Sequence, residues 1–361
     1  MLRRRFALAV LLMLALALGV FGGAITSREA TAPLVVHFID VGQGDSILIR
    51  SPSGRTMLVD GGEPSVGHRL VGFLRDKGVT KLDYVVSTHP HADHIGGLID
   101  VLREFPVGRV YDSGKAHTTQ TYEDYLLLIE RKDIPFELAR AGKSIDLGDG
   151  VKVLVLWPKD PLPTSINDAS VVIRLTYGKV SVLLTGDAES AVERALLASR
   201  KEIASQILKV AHHGSSSSCT GAFLGKVKPV VAVISVGAGN RYGHPSDSTL
   251  KALALAGAKV YRTDQNGTVT IRSDGERYVV EVETQASPRS PPAGGCGLAG
   301  TGETGTGQGK GTRYYASIKS NKFHYPSCRY AKQISASSLI VFNSREEAIA
   351  AGYVPCKVCR P

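Results

Sequence analysis

The sequence predicts an α/β fold, with sheets in the middle and helices outside, followed by a small metal-stapled module. Three observations predict it. Between Leu34 and Glu283, short apolar strands alternate with segments of helical spacing. The stretch "ASPRSPPAGGCGLAGTGETGTGQGKGT" is so rich in Gly, Pro, Ser and Thr that it reads as a linker. The C-terminal segment then carries His324, Cys328, Cys356 and Cys359 in an H-x₃-C…C-x₂-C pattern. The expected boundaries are 1–32 for an N-terminal segment, 34–283 for the main domain, 284–312 for the linker and 313–361 for the module.

The N-terminal segment opens with Arg3, Arg4 and Arg5 and continues as an apolar run from Phe6 to Ile25. A basic patch before an apolar run reads as a signal peptide or an N-terminal membrane anchor. The run is near the roughly 20 residues needed to span a bilayer, so its length does not choose between them. Small residues at Gly22 and Ala24, or at Ala30 and Ala32, offer cleavage positions. The body is therefore expected to be extracellular or on the outer face of the cytoplasmic membrane.

Composition narrows the class. With 361 residues, 43% of them apolar, the chain can bury a large core, which excludes a disordered polymer. The net charge of +10 is confined to the ends: Arg3 to Arg5, and nine Lys and Arg against Glu346 and Glu347 from Lys310 onward. The body between is close to neutral, so any polyanion is expected to meet the tail. Of the five cysteines, three cluster at the C-terminus while Cys219 and Cys296 are isolated. That placement favours a metal site over a disulfide framework.

Along the main domain, "LVVHFIDVGQGDSILIR" and "RTMLVDGG" read as strands, "VGHRLVGFLRDKG" as a helix and "KLDYVVST" as a strand. "HIGGLIDVLREF" reads as one helix. "VKVLVLWP", "ASVVIRLTYG" and "KVSVLLTGD" are strands, the last two joined by a "YGKV" hairpin. "ESAVERALLAS" is a helix with Val192, Ala195, Leu196 and Ser199 along one face. The strands "ILKVAHHG" and "PVVAVISVG", the helix "STLKALALAG" and the paired strands of "TVTIRSDGERYVVEVE" complete the domain.

The chemistry concentrates in "HPHADH", at the end of a predicted strand. Residues two apart on an extended segment point the same way, so His89 and His91 can share one ion. Asp93 and His94 follow in the turn and can reach a second. Imidazole with carboxylate suits Zn²⁺, Mn²⁺ or iron.

This segment resembles the HxHxDH signature of the metallo-β-lactamase fold. The wider set, "IDVGQGDSILI", "LVDGG", "TGD", "VAHHGS" and "NRYGHPS", is similar to the hydrolase domain of ComEC-type DNA-uptake proteins. The resemblance implies a four-layer αββα sandwich and two divalent metals, Zn or Mn, in a cleft at its edge. His89 and His91 would bind one, Asp93 and His94 the other, with Asp187 bridging and His244 as the last ligand of the second. His212 and His213 would supply a further ligand or a proton donor, His213 being the preferred one; with Asp93 they form the candidate catalytic set. Asp60 would orient the metal loop as an outer carboxylate. Asp40 and Asp45 flank "GQG" either near the cleft or in a plain turn. One departure is expected to weaken the first metal: where many relatives carry another His, this chain has Asn167. Only one apolar segment is present, so the chain is expected to be a free-standing relative without the multi-helix channel.

The C-terminal text "SNKFHYPSCRYAKQI…VPCKVC" resembles the metal-binding module of the Ada family of DNA-repair proteins. The resemblance implies one structural Zn²⁺ on His324, Cys328, Cys356 and Cys359. In that family the first ligand is a methyl-accepting Cys. Here it is His324, which has no thiolate to accept a methyl group. Lys319, Lys322, Arg329, Lys332, Lys357 and Arg360 are candidate phosphate contacts, interleaved with Tyr314, Tyr315, Phe323, Tyr325 and Tyr330. The aromatics are either stacking rings or the module's small core. Ser344 and Glu347 read as a helix capping box.

The resulting expectation is an exported dinuclear-metal hydrolase of phosphodiesters, acting on DNA in competence-type uptake, with a zinc module for DNA contact. The alternatives are a hydrolase of small cyclic esters or lactams, and a non-catalytic DNA-binding protein.

Overall fold

A computed structural model describes residues 32–283 and most of 313–361. The N-terminal apolar segment and the Gly/Pro-rich stretch lie outside the described residues, as do Cys296, Lys319, Lys357 and Arg360. The chain divides into two compact units, one ending at Ala286 and one beginning at Ser287. Among the described residues no helix is long and apolar enough to cross a membrane.

The first unit is built on two sheets. One is eight-stranded, in the spatial order Tyr278–Val282, Val269–Ser273, Leu34–Phe38, Ile47–Arg50, Thr56–Val59, Tyr84–Ser87, Val110–Asp112 and Phe136–Leu138. The other is seven-stranded: Lys259–Arg262, Val231–Ile234, Ile207–Lys209, Val180–Leu184, Val172–Tyr177, Lys152–Trp157 and Ser144–Asp146. Side chains alternate across each sheet, which fixes the layers. Ile47 and Ile49 join Phe38, Val59, Val155, Ile173, Val182 and Val233 in the core between the sheets. Leu48, one residue out of phase, packs with Leu58 and Val85 against Leu70, Leu74, Leu98 and Leu102 of the helices on one side. Leu183, Leu208 and Ala232 do the same on the other side with Val192, Leu196, Phe223 and Leu253. The result is the four-layer αββα sandwich. Each such side chain, fully buried, stabilises the fold by roughly 1.5–3 kcal/mol before entropy.

The predicted "YGKV" hairpin is present, with Tyr177 opposite Val180 and Gly178 at φ +56°. The single helix expected over "HIGGLIDVLREF" is two, Ala92–Ile95 and Leu98–Glu104. The break lies at Gly96 and Gly97, where a Cβ on Gly97 would stand 2.0 Å from the Gly61 carbonyl oxygen. The expected apolar face of Ser190–Ala198 also buries Glu193, whose carboxylate accepts the Cys219 and Thr220 N–H groups. The helix Gln120–Arg131 and the strands Val110–Asp112 and Lys259–Arg262 are additions to the sequence reading.

In the second unit a four-stranded sheet runs Leu339–Phe342, Tyr314–Ser317, Lys322–His324, Val354–Pro355. Its small core holds Tyr314, Ala316, Phe323, Phe342 and Ala348, with Tyr325 and Tyr353 packed against it. Tyr314, Phe323 and Tyr325 are thus core residues, and Tyr330 is the exposed ring. The Ser344 hydroxyl accepts the Glu347 N–H at 3.0 Å and caps the helix Arg345–Ala350.

His37 gives the main domain an acid limit. Its ring is buried, with Nδ1 2.8 Å from the Thr270 hydroxyl. Burial, reinforced by Lys77, Arg272 and Arg50, lowers it to about 4. The unfolded chain takes up this proton near pH 6.5 and the folded chain only near 4. Stability is therefore full above 6.5 and falls across that window, by about 3 kcal/mol. Chemical denaturation of His37→Gln at pH 7 and pH 4 is expected to show a pH loss smaller by that amount.

Candidate metal centre

The carboxyl ends of three strands bring the site together. Tyr84–Ser87 delivers His89, His91, Asp93 and His94; Val180–Leu184 delivers Asp187; Ile207–Lys209 delivers His212 and His213. The last two strands are parallel neighbours, so their C-terminal loops emerge side by side. His212 and His213 both adopt left-handed backbone, φ +49° and +52°. For histidines this is a costly conformation, and it sets the two rings apart.

Asp187 stands at the centre. Its Oδ2 lies 3.3 Å from His94 Nε2, 3.5 Å from His213 Nε2, 3.8 Å from His89 Nε2 and 3.9 Å from His212 Nε2. Asp93 Oδ2 is 3.4 Å from His213 Nε2. Two overlapping groups, His89–His94–Asp187 and Asp93–His94–His213, each hold their donor atoms within 4.8 Å of one another. His91 flanks them, its Nδ1 3.0 Å from His89 Nε2. His244 lines the same cleft but joins neither group; its ring is 5.6 Å from that of His212. Beside Asp93 and His94 stands His213, at the position the sequence reading gave to His244. Asn167 also lines the cleft, and its buried Oδ1 has no hydrogen-bond partner.

The donor set fits divalent ions. His94 donates through Nδ1 to Asp60 at 2.8 Å, and His213 through Nδ1 to the Ser235 carbonyl at 2.9 Å. Each ring thereby keeps a lone pair on Nε2, and both Nε2 atoms, with Asp187 Oδ1, are buried without a hydrogen-bond partner. Orphaned buried polar atoms are costly unless something binds them. The electrostatics agree. Burial opposes charge on His213, yet Asp187 and Asp93 push it up to about 10; His94 is likewise driven well up against burial by Asp187 and Asp60. Asp187 and Asp93 are held well below the usual carboxylate range, against burial, chiefly by these two rings. His89 is pushed far down by burial and by His94. The carboxylates thus draw positive charge into the cluster, and a divalent ion of the Zn²⁺ or Mn²⁺ type would supply it in place of protons on these two rings.

A buried outer ring holds these groups. Asp60 accepts from the Thr88 N–H at 2.8 Å and hydroxyl at 2.7 Å as well as from His94. Asp40 instead accepts the Gly42 N–H at 3.0 Å in a turn, and Asp45 is the residue that reaches inward, 3.5 Å from His213 Nδ1. Asp45 is ion-paired with Lys209, which is wholly buried and donates to the Gly186 carbonyl at 3.3 Å. Sequence reasoning passed over Lys209, although a lysine inside the apolar run "ILKVA" is a signal of buried charge pairing. It also passed over Glu189, whose carboxylate fixes His212 Nδ1 at 3.1 Å. Asp60→Asn keeps the side chain's shape and tolerates the left-handed backbone at φ +58°. It is expected to weaken metal affinity about 10–100-fold in a competition titration, as outer-carboxylate losses do.

In the second unit the donor atoms of His324, Cys328, Cys356 and Cys359 lie within 4.8 Å of one another, a Cys₃His set. Burial, with its neighbours Cys328 and Cys356, raises the Cys359 thiol to about 11, so a dication is what would make thiolates stable together. Among the described cysteines none forms a disulfide. Lys322, Arg329 and Lys332 are exposed on this unit.

Residues 39–238, more than half of the chain, match the Metallo-beta-lactamase superfamily, and residues 308–361 match the Metal binding domain of Ada. The chain is similar to "ComE operon protein 3" of Bacillus subtilis (strain 168), 34% identical over 255 residues, covering 66% of this chain and 33% of the relative. It is similar to "Competence protein ComA" of Neisseria gonorrhoeae, 30% identical over 273 residues, covering 72% of this chain and 37% of the relative. The chain thus spans about a third of the length of these relatives. Among solved structures it is similar to CmlA, a diiron beta-hydroxylase from Streptomyces venezuelae, 13% identical with a TM-score of 0.45, covering 67% of this chain and 54% of that one.

Proposed function

The chain belongs to the metallo-β-lactamase superfamily and carries an Ada-type metal-binding domain, and from that premise we propose that it is an exported dinuclear-metal phosphodiesterase acting on DNA. The carrying observation is the convergence of His89, His94, His213 and Asp187, all buried, with the half-buried Asp93, the unpartnered Nε2 atoms of His94 and His213 facing a shared carboxylate. These residues, with His91, would hold the metals. When bound, divalent ions supply Lewis acidity that polarises a phosphoryl group and acidifies water.

The chain's own residues do the rest. Asp187 is fixed by its N–H donating to Ser170 Oγ at 3.1 Å. His212, oriented by Glu189 and partly open to the cleft, is placed to protonate the leaving oxygen. The cleft, about 380 Å³, has Arg241 on its lining as counter-charge for a phosphate. Lys322, Arg329 and Lys332 of the Ada-type domain tether the polymer electrostatically. Export rests on the basic-then-apolar N-terminal segment, and a role in DNA uptake on the two competence relatives.

The test is hydrolysis by the full chain, loaded with Mn²⁺ or Zn²⁺, of single- and double-stranded DNA, methyl p-nitrophenyl phosphate and a chromogenic cephalosporin. Cleavage of the diesters and not of the lactam is expected. Cleavage of the lactam alone would replace this reading with the small-cyclic-substrate one. In the triple variant Lys322→Ala, Arg329→Ala, Lys332→Ala, the slope of log affinity for single-stranded DNA against log salt is expected to flatten by about 2. An unchanged slope would remove the tether.

A further inference from the structure

The segment Asn240–Pro245 forms a rim that neither the metal set nor the core explains. Asn240 builds it: its side-chain amide donates to the Gly237 and His244 carbonyls at 3.0 and 2.6 Å, and its oxygen accepts the Tyr242 and His244 N–H groups at 3.1 and 3.0 Å. So held, the rim carries Tyr242, a ring 53% exposed, at the mouth of the cleft. Tyr242 lines this cleft with Arg241, His212 and His244, so a ligand entering it meets the ring.

Tyr242 is the outer end of a line of rings. It lies 5.7 Å from His244 with only 16° between the planes; His244 is 5.6 Å from His212, and His212 is 6.1 Å from His213. The line therefore leads from solvent to the candidate metal ligands. Arg241 donates to the Tyr242 hydroxyl at 2.8 Å, and its guanidinium carbon is 5.0 Å from the ring centroid. A half-exposed ring paired with a guanidinium suits one ligand chemistry, a planar aromatic group joined to an anionic phosphate.

We propose that Arg241, Tyr242 and His244 form a nucleotide-stacking subsite that takes one unpaired base flanking the scissile phosphate, so that the chain selects single-stranded nucleic acid. The inference deepens the phosphodiesterase reading and rests on it. In a duplex the base faces are covered by their neighbours, and the ring has nothing to stack on. Arg241 neutralises the phosphate of the stacked nucleotide while His244 backs the Tyr242 ring.

The test is equilibrium binding of fluorescein-labelled hexathymidylate, an abasic hexamer of the same charge, and a duplex, to the full chain in an Asp187→Asn background that removes turnover. Relative to Tyr242→Phe in the same background, which also lacks the hydroxyl that anchors Arg241, Tyr242→Ala is expected to bind hexathymidylate roughly 5–100-fold more weakly, the range for losing one stacked base, and to bind the abasic hexamer and duplex equally. Tyr242→Phe, which keeps the ring, is expected to stay within about twofold of Tyr242 in hexathymidylate binding. Equal affinity of Tyr242→Ala and Tyr242→Phe for hexathymidylate, or equal loss in Tyr242→Ala for hexathymidylate and the abasic hexamer, would overturn the proposal. Hydrolysis of methyl p-nitrophenyl phosphate by the unmodified chain tests the phosphodiesterase reading separately, because that substrate carries no base.

Discussion

Asp187→Ala is expected to lower kcat/KM for a phosphodiester by about 10³-fold or more, the scale of removing a principal electrostatic group from a buried site. That is roughly 4 kcal/mol of transition-state stabilisation. Asp187 faces the Nε2 atoms of His89, His94, His212 and His213 within 3.9 Å, so its loss touches four imidazoles at once. Asp187 lies on the loop after Val180–Leu184 and belongs to none of the three apolar cores of the sandwich. Far-UV circular dichroism of the variant should therefore match the parent, which separates lost chemistry from lost fold. A variant with parental kcat/KM would mean that the carboxylate takes no part.

Cys356→Ser is expected to release the zinc of the Ada-type domain and to unfold that unit alone. Among the described residues its aromatic core is small, five buried residues with three partly buried ones packed against them. A Cys₃His zinc site contributes about 10–16 kcal/mol of apparent binding free energy, which in such a unit is the folding free energy. Cys356 is buried beside the sheet, its backbone N–H donating to the Phe323 carbonyl at 3.0 Å, so the substitution removes a ligand anchored directly to a strand. Limited proteolysis should then trim the chain back to the sandwich, which keeps its thermal transition. Persistence of the C-terminal unit without zinc would show that its aromatic core suffices.

Much of the site was legible because chemistry-bearing residues sit at strand ends, where apolar periodicity stops abruptly. "HPHADH" after "LDYVV" and "TGD" after "KVSVLL" could be placed in this way. The alternation of Ile47, Leu48 and Ile49 likewise announced two different neighbours for one sheet. What escaped depends on pairings that no local pattern encodes. The Asp45–Lys209 ion pair requires the end of Ile207–Lys209 to lie beneath the loop at Asp45, a consequence of strand order. The position of His213 beside Asp93, on left-handed backbone at two successive histidines, is likewise not announced by residue type. In the zinc unit, the choice between stacking face and core for Tyr314 and Phe323 was settled by which face of a strand they occupy.

The most direct test is the metal content of the full chain after loading with Zn²⁺ or Mn²⁺ and exhaustive dialysis, measured by elemental analysis beside a His89→Ala, His94→Ala double variant and Cys356→Ser. The expected result is two ions lost with the histidine pair and one zinc lost with Cys356→Ser. A parent chain that binds only the ion removed by Cys356→Ser would contradict a metal centre in the sandwich.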